Sequence, residues 1–365
     1  MRPLRPRALL LAGAAGVLIV AFAAVQVGRP AAGPTASPGA AGLGLAAAMP
    51  SAGYDAISSP AATNSSSPDS SPLVTPPAVR SASSSPAPTK TPAPKATPCP
   101  IFPASNVWNK DISKLPVAAN STAMVNAIGR SAYLHPDFDA IGDGIPYNVV
   151  TSSTPKSAVG FQYAGESDAG PYPIPAGPRI EKGSDRHMLM LDLGACRLYE
   201  LYAVQKTGST WHAGSGAIWN LRSNALRPAG WTSADAAGLP IVPGLVLYNE
   251  VKSGVIRHAI RFTAPDTCGY IYPARHLTAS PCSNLPPMGL RVRLKASVDI
   301  SGFGPQARVV LTALKRYGMI LADNGAPWYI TGEPDSRWND DQLHHLQTLT
   351  GADFEVVDTS NLRNG

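Results

Sequence analysis

Six residues of this chain combine a titratable side chain with an apolar or aromatic setting: Asp185, His187, Glu200, Asp235, His258 and Asp323. Burial disfavours charge, which moves a carboxyl group toward neutral pH and suits it to proton transfer. Glu200 stands in LYELY, where a strand would put it on one face with Leu198 and Tyr202. His258 lies between two apolar stretches in YNEVKSGVIRHAIRF, downstream of Glu250. Asp323 opens Asp323-Asn324-Gly325 at the end of an apolar run, and strand ends present side chains to clefts. Asp185-Arg186-His187 precedes another apolar run, and Glu166-Ser167-Asp168 precedes a Gly/Pro/Tyr loop. The stretch 220–235 adds Arg222, Asn224, Arg227 and Trp231 to Asp235. Amide, guanidinium and indole groups are what a sugar site uses to bond hydroxyls and stack on a ring. The plainer alternatives are a salt-bridged edge carboxylate for Glu200, a core histidine for His258, and ordinary turns or surface loops for the rest.

This set defines the expected chemistry. The six residues are the candidate catalytic groups, and Arg222, Asn224, Trp231 and Asn324 the candidate substrate contacts. Two carboxylates meeting across a cleft would hydrolyse a glycosidic bond. A His and a Tyr meeting near an Arg would suit a lyase. Other classes lose their footing. The chain has no G-x-S-x-G elbow, no H-E-x-x-H, no P-loop and no dinucleotide fingerprint. No cofactor and no metal are called for. A metal-dependent peptidase is the weakest alternative, with His187, His258 and His276 as ligands. The adjacent pair His344-His345 would point about 100° apart on a helix and not grip one ion.

The four cysteines are Cys99, Cys196, Cys268 and Cys282, with no C-x-x-C spacing. An even count in an exported chain reads as disulfides, and four cysteines allow three pairings. Cys268 and Cys282 flank a Pro/Ser/Asn-rich loop and are expected to close it. Cys99 would then staple the start of the domain to Cys196.

Export is read from the N-terminus. Arg2, Arg5 and Arg7 precede an apolar stretch that runs to about Val27, with Ala21 and Ala23 offering a cleavage site. Residues 1–28 are therefore a signal peptide or an uncleaved anchor, and both place the rest outside. Residues 29–98 are rich in Pro, Ser, Thr and Ala and bury too little apolar surface to fold, so they form an extended linker. Residues 99–365 are expected to form a single globular domain. The formal net charge of +6 lies mostly in the leader and linker. Residues 99–365 hold 23 Lys/Arg against 22 Asp/Glu, which argues against a nucleic-acid partner. All six Trp lie in the same part, where they serve a core or a stacking face. The membrane is touched through the N-terminal segment alone, and the domain is expected to be a monomer.

The elements that must position these groups are short. Helices are expected over 115–129, 305–317 and 339–349, the last two amphipathic or capped. Strands are expected over 187–193, 197–204, 217–221, 245–248, 255–263, 270–273, 290–296, 319–322, 328–331 and 354–357. The fold class is α+β: a mainly antiparallel, β-sandwich or jelly-roll-like body with a few helices, two of them near the C-terminus.

Several long stretches carry a resemblance: FPASNVWNKDIS (102–113), DRHMLMLDLGACRLYELY (185–202), AIWNLRSNALRPAGWTSADAAGLPIVPGLV (217–246), RHAIRFTAP (257–265), NLPPMGLRVRLKAS (284–297) and LKRYGMILADNG (314–325). Over residues 102–358 the chain resembles a family of secreted bacterial proteins of soil-bacterium type. The resemblance implies export and one contiguous domain, and it carries no residue roles. Taken with the residues, the expected function is that of an extracellular carbohydrate-active protein. It would be a glycoside hydrolase or polysaccharide lyase acting on a cell-wall or environmental polysaccharide. The alternative is a non-catalytic glycan- or surface-binding module on a stalk.

Overall fold

The computed structural model describes residues 99–363. The leader and linker readings, 1–28 and 29–98, lie outside the described residues. The strands are β1 (His135–Asp137), β2 (Tyr147–Val150), β3 (Lys156–Ser157), β4 (Val159–Phe161), β5 (Tyr172–Pro173), β6 (Met188–Asp192), β7 (Arg197–Tyr202), β8 (Gln205–Thr207), β9 (Thr210–Ala213), β10 (Ser215–Asn220), β11 (Ile260–Ala264), β12 (Arg291–Leu294), β13 (Met319–Asn324), β14 (Tyr329–Thr331) and β15 (Phe354–Val356). The helices are α1 (Ser121–Ile128), α2 (Tyr248–Lys252), α3 (Pro305–Arg316) and α4 (Asp340–His345). The fold is α+β and mainly β, with α3 and α4 near the C-terminus as expected.

Two sheets dominate. One has six strands in the order β1-β14-β11-β13-β12-β15, and the other four in the order β10-β7-β6-β2. Most pairs are antiparallel, but β1 with β14, β11 with β13, and β2 with β6 run parallel.

The four-stranded sheet explains the run MLMLD. A sheet buried on both faces needs continuous apolar strands, not alternating ones. Leu189, Leu191 and Leu198 face the main core, while Met188, Met190, Tyr199 and Leu201 face a second core with Tyr172 and Trp211. The second core lies under the small sheets β3-β5 and β4-β9-β8. Their strands KS, QKT and TWHA are too short and polar to read as strands.

Helix α3 forms because Pro305 suits its first turn, Ala307, Val310, Leu311 and Leu314 bury one face, and Lys315 and Arg316 complement its C-terminal dipole. Gly318 follows at φ +63°, where an added Cβ would stand 2.1 Å from the Val292 carbonyl oxygen. Only glycine fits there, and it turns the chain straight into β13.

Three expectations are corrected. Helix α1 starts at Ser121, because Val117 instead bridges Val357. Residues 245–248 do not form a strand; Val246 makes an isolated bridge to Gly332 and Tyr248 begins α2. Residues 270–273 make a single bridge, Tyr270 to Met288, before a cis Tyr272-Pro273 bond. Both disulfides are present in the expected pairing, Cys99–Cys196 and Cys268–Cys282.

Candidate functional site

The row of residues around Arg261 is built by register. On β1, Asp137 pairs with Thr331 of β14. Phe262 of β11 lies opposite Ile330, which puts Arg261 opposite Thr331 on the same face. On the other side of β11, the register with β13 shifts between Phe262 and Thr263, so that Thr263 pairs with Asp323. That irregularity inserts Ala322 and returns Asp323 to the face of Arg261, as bulges near active sites do. The groups opposite come from Glu181, Asp185 and His187 ahead of β6, from Tyr202 at the end of β7, and from Asp235 beyond β10.

Arg261 is the hub. Its side chain is 4% exposed. Its Nε and Nη2 donate to Asp235 Oδ2 at 3.2 and 3.0 Å, and Nη1 donates to Thr331 Oγ1 at 2.8 Å. Asp323 Oδ2 lies 3.6 Å from Nη2. Burial raises the pKa of both Asp235 and Asp323. Two guanidinium N–H groups converge on Asp235 Oδ2 and lie closer than Asp323 does, so Asp235 keeps its charge and the proton falls to Asp323. Burial, and next the charge of Asp235, push Asp323 up to about 7. A quarter of its side chain (26%) stays exposed, so it can exchange that proton.

Glu181 is pushed the other way. His187 Nδ1 lies 2.5 Å from Glu181 Oε2, and its backbone N–H reaches the same oxygen at 3.1 Å. His187 Nε2 faces the Ala234 carbonyl oxygen at 2.9 Å. Both ring nitrogens thus meet acceptors, so the ring carries two protons and a positive charge. Burial alone would lower the pKa of His187, and the bond to Glu181 overcomes it and raises it. Burial would raise Glu181, yet the donors and charge of His187 hold it below its usual range. Its side chain is 17% exposed. Asp323 and Glu181 both act on the phenol of Tyr202, whose pKa rises chiefly through burial and then through Asp185, Asp323 and other neighbours. Asp137 completes the group and is also raised by burial. It lines a cavity of about 160 Å³ with His135, Asp139 and Asp340. A larger hollow of about 470 Å³, beside Tyr272 and Arg363, shares none of these residues.

The structure therefore gathers Asp185, His187, Asp235 and Asp323 from the sequence-derived set. It keeps Glu200 and His258 apart from solvent-accessible chemistry. Glu200 is fully buried; its carboxylate accepts from the Ile241 and Val242 N–H groups and from Trp219 Nε1. Burial raises it to about 7 against those bonds, but no substrate reaches it. His258 donates to the Ala259 carbonyl at 2.8 Å and to the half-buried Glu250 at 2.9 Å, a separate pair. His276 faces Ala236 O and Glu166, so the three histidines do not converge on one ion. Among the described residues, no three His, Cys, Asp or Glu side chains are arranged to hold a metal.

The candidate substrate contacts scatter. Arg222 is exposed. Asn224 bonds Ser105 and Asn106 and ties down the N-terminal segment. Asn324 holds Pro265 O and Thr267. Trp231 stacks against Arg227, which also pairs with Asp168 at 2.6 Å. Sequence reading missed Glu181, Asp137, Tyr202, Thr331 and Arg261. Glu181 stands in the polar stretch RIEKGSD, which reads as surface. Arg261 left a signal: a charge inside the apolar run AIRF must be paired.

Comparison with family models, with curated proteins and with solved structures finds no match to this chain.

Proposed function

We propose that this protein is an extracytoplasmic glycoside hydrolase, with Asp323 as the general acid and Glu181 as its ionised partner. One arrangement carries the reading: Asp323 stands 3.6 Å from a guanidinium that Asp235 already holds, while Glu181 accepts both the ring and backbone N–H of His187, so that one carboxyl is favoured neutral and the other ionised. Environments that separate two carboxyl pKa values define an acid and a base. Asp323 gives its proton to the glycosidic oxygen as the bond to the anomeric carbon breaks. Glu181, kept charged by His187, stabilises the positive charge that develops on the sugar. Water supplies the hydroxyl that replaces the leaving group, and its other proton returns to the Asp323 carboxylate. Tyr202, beside Asp185 and Asp323, and its neighbour Tyr163, 45% exposed, offer ring faces. The same two tyrosines favour a second reading, a glycan-binding module that does not cleave.

Two disulfides are consistent with an oxidising compartment. Export by residues 1–28, a linker at 29–98, a monomeric state and membership in the secreted bacterial family complete the proposal.

The test is a panel of plant, fungal and bacterial polysaccharides, each read for new reducing ends and for retained protein. The account expects new reducing ends from the wild type. It expects a loss of about 10²- to 10⁴-fold in Asp323→Asn and Glu181→Gln, with retention kept. Retention without cleavage by the wild type selects the binding module. Silence in both readouts removes the glycan reading.

A further inference from the structure

A hollow of about 410 Å³ opens on the outer face of the three-stranded sheet β4-β9-β8, within the size range of ligand clefts. Register builds it. Gly160 of β4 pairs with His212 of β9, and His212 pairs with Gln205 of β8, so the three form one cross-strand row. Their neighbours Val159 and Trp211 turn inward to the second core, which leaves the row facing outward. Gln162 follows β4 and donates its backbone N–H to the Ala213 carbonyl at 3.1 Å. The ring of Phe161 closes one wall, packed edge-on against Tyr172 at 5.7 Å. Part of the floor is bare backbone. A Cβ at Gly160 would stand 3.1 Å from His212 Nδ1, and one at Gly214 would stand 2.7 Å from Tyr202 Cδ1.

The hollow adjoins the Arg261 site through Tyr202. The same Tyr202 ring that covers Gly214 lies 5.6 Å from the ring of His187. Ala203, in the wall of the hollow, donates its N–H to the Asp185 carbonyl at 2.8 Å. The lining carries two carboxamides, an imidazole and a phenyl ring, and no carboxylate, ammonium or guanidinium. Among the described residues, the side chains of Gln162, Gln205 and His212 hydrogen-bond to no other part of the protein. Lys206, next to Gln205, lies over the Trp211 ring at 5.0 Å. A carboxamide donates and accepts, as a sugar hydroxyl does, and an aromatic ring covers the apolar face of a pyranose. A charged sugar unit would find no counter-charge here. We propose that this hollow is a subsite for an uncharged sugar unit of the polymer, beside the unit cleaved at Asp323. The inference rests on the reading of the Arg261 site as glycan-cleaving and narrows it from glycans in general to chains of neutral sugars.

The experiment uses the full chain with cello-, manno-, xylo- and N-acetylglucosamine hexasaccharides and the trisaccharide of each. Glucosamine and galacturonate hexasaccharides are the charged sets. Reducing ends give kcat and KM, and calorimetry gives binding. The expected result is turnover of at least one neutral set and of neither charged set. On the cleaved set, kcat/KM should be at least about tenfold higher for the hexasaccharide than for the trisaccharide. In the double variant Gln162→Ala/Gln205→Ala, KM for the hexasaccharide rises about 10- to 30-fold and the gain with length is lost. Thr207→Ala, on β8 but outside the hollow, keeps wild-type kinetics, and an unchanged unfolding midpoint shows that the double variant is folded. Turnover of a charged hexasaccharide, or a double variant that keeps the gain with length, overturns the inference and leaves the hydrolase reading standing. Binding of a neutral hexasaccharide without turnover retires the hydrolase reading. Weaker binding by the double variant would then still support the subsite, and equal binding would overturn it. Neither binding nor turnover of the neutral sets removes both.

Discussion

At the scale of single residues, Asp323 should behave as a group kept for function at the expense of stability. Its carboxyl titrates at about 7 in the fold against an ordinary value of 3.8, so the folded state holds the proton more tightly than the unfolded chain. Its contribution to stability is fully present below 3.8 and is lost as pH rises through about 7. Asp323→Asn should therefore be more stable than the wild type at pH 8 by about 1–2 kcal/mol, the shift being discounted for partial exposure and for Arg261. At pH 3 the two should unfold alike, as thermal unfolding at both pH values will show. His187 runs in a different window. Its folded pKa is raised above 6.5, so the histidine's share of the pair is fully present below 6.5 and fades as pH rises past the folded value, while the share of Glu181, whose pKa is lowered, is lost as pH falls through its own folded value. Much of this scale was legible. Asp185, His187, Asp235 and Asp323 stand out against apolar neighbours. Glu181 and Asp137 do not, because their neighbours in sequence are polar and the apolar surroundings come from distant strands.

At the scale of elements, Glu200 shows what a raised pKa without access means. It fastens β7 to the turn that begins at Ile241, through two backbone N–H groups and one indole N–H. Glu200→Ala leaves those donors buried and unpaired, and should lower the unfolding free energy by about 3–5 kcal/mol in denaturant titrations. Activity per folded molecule is not the readout; the unfolding midpoint is. The long elements were readable: β6, β7, α3 and β13 follow from apolar runs and capping residues. The failures have a common cause. Residues 245–248 and 270–273 are as apolar as strands, but prolines nearby and long-range bridges to Gly332 and Met288 decide their shape. The bulge at Ala322, which aims Asp323, has no local signal. It shows only in the pairing of β11 with β13.

At the scale of the whole molecule, two staples act on different lengths of chain. Cys99–Cys196 spans 97 residues and Cys268–Cys282 spans 14. Loop-closure entropy then gives about 4.7 kcal/mol to the first and about 3 kcal/mol to the second. Replacing Cys99 and Cys196 by alanine should therefore lower the unfolding midpoint more than replacing Cys268 and Cys282. An equal or reversed order would show that strain or residual unfolded structure outweighs chain entropy. Arg291 adds to the hold on the N-terminal segment by donating to the Val107, Lys110 and Tyr317 carbonyls. Cysteine count foretold the two staples. It said nothing of which strand ends meet, and that meeting makes the site.

The measurement that bears most directly on the acid–base assignment is the pH dependence of kcat/KM on a cleaved glycan, for the wild type and Asp323→Asn. Asp323 must be protonated and Glu181 ionised, so the profile should be bell-shaped. Its alkaline limb should fall through about 7, and its acid limb should fall below the ordinary carboxylate value of 4.5. In Asp323→Asn the alkaline limb should vanish along with most of the rate. An alkaline limb that persists unchanged in that variant would contradict the account and place the acid elsewhere.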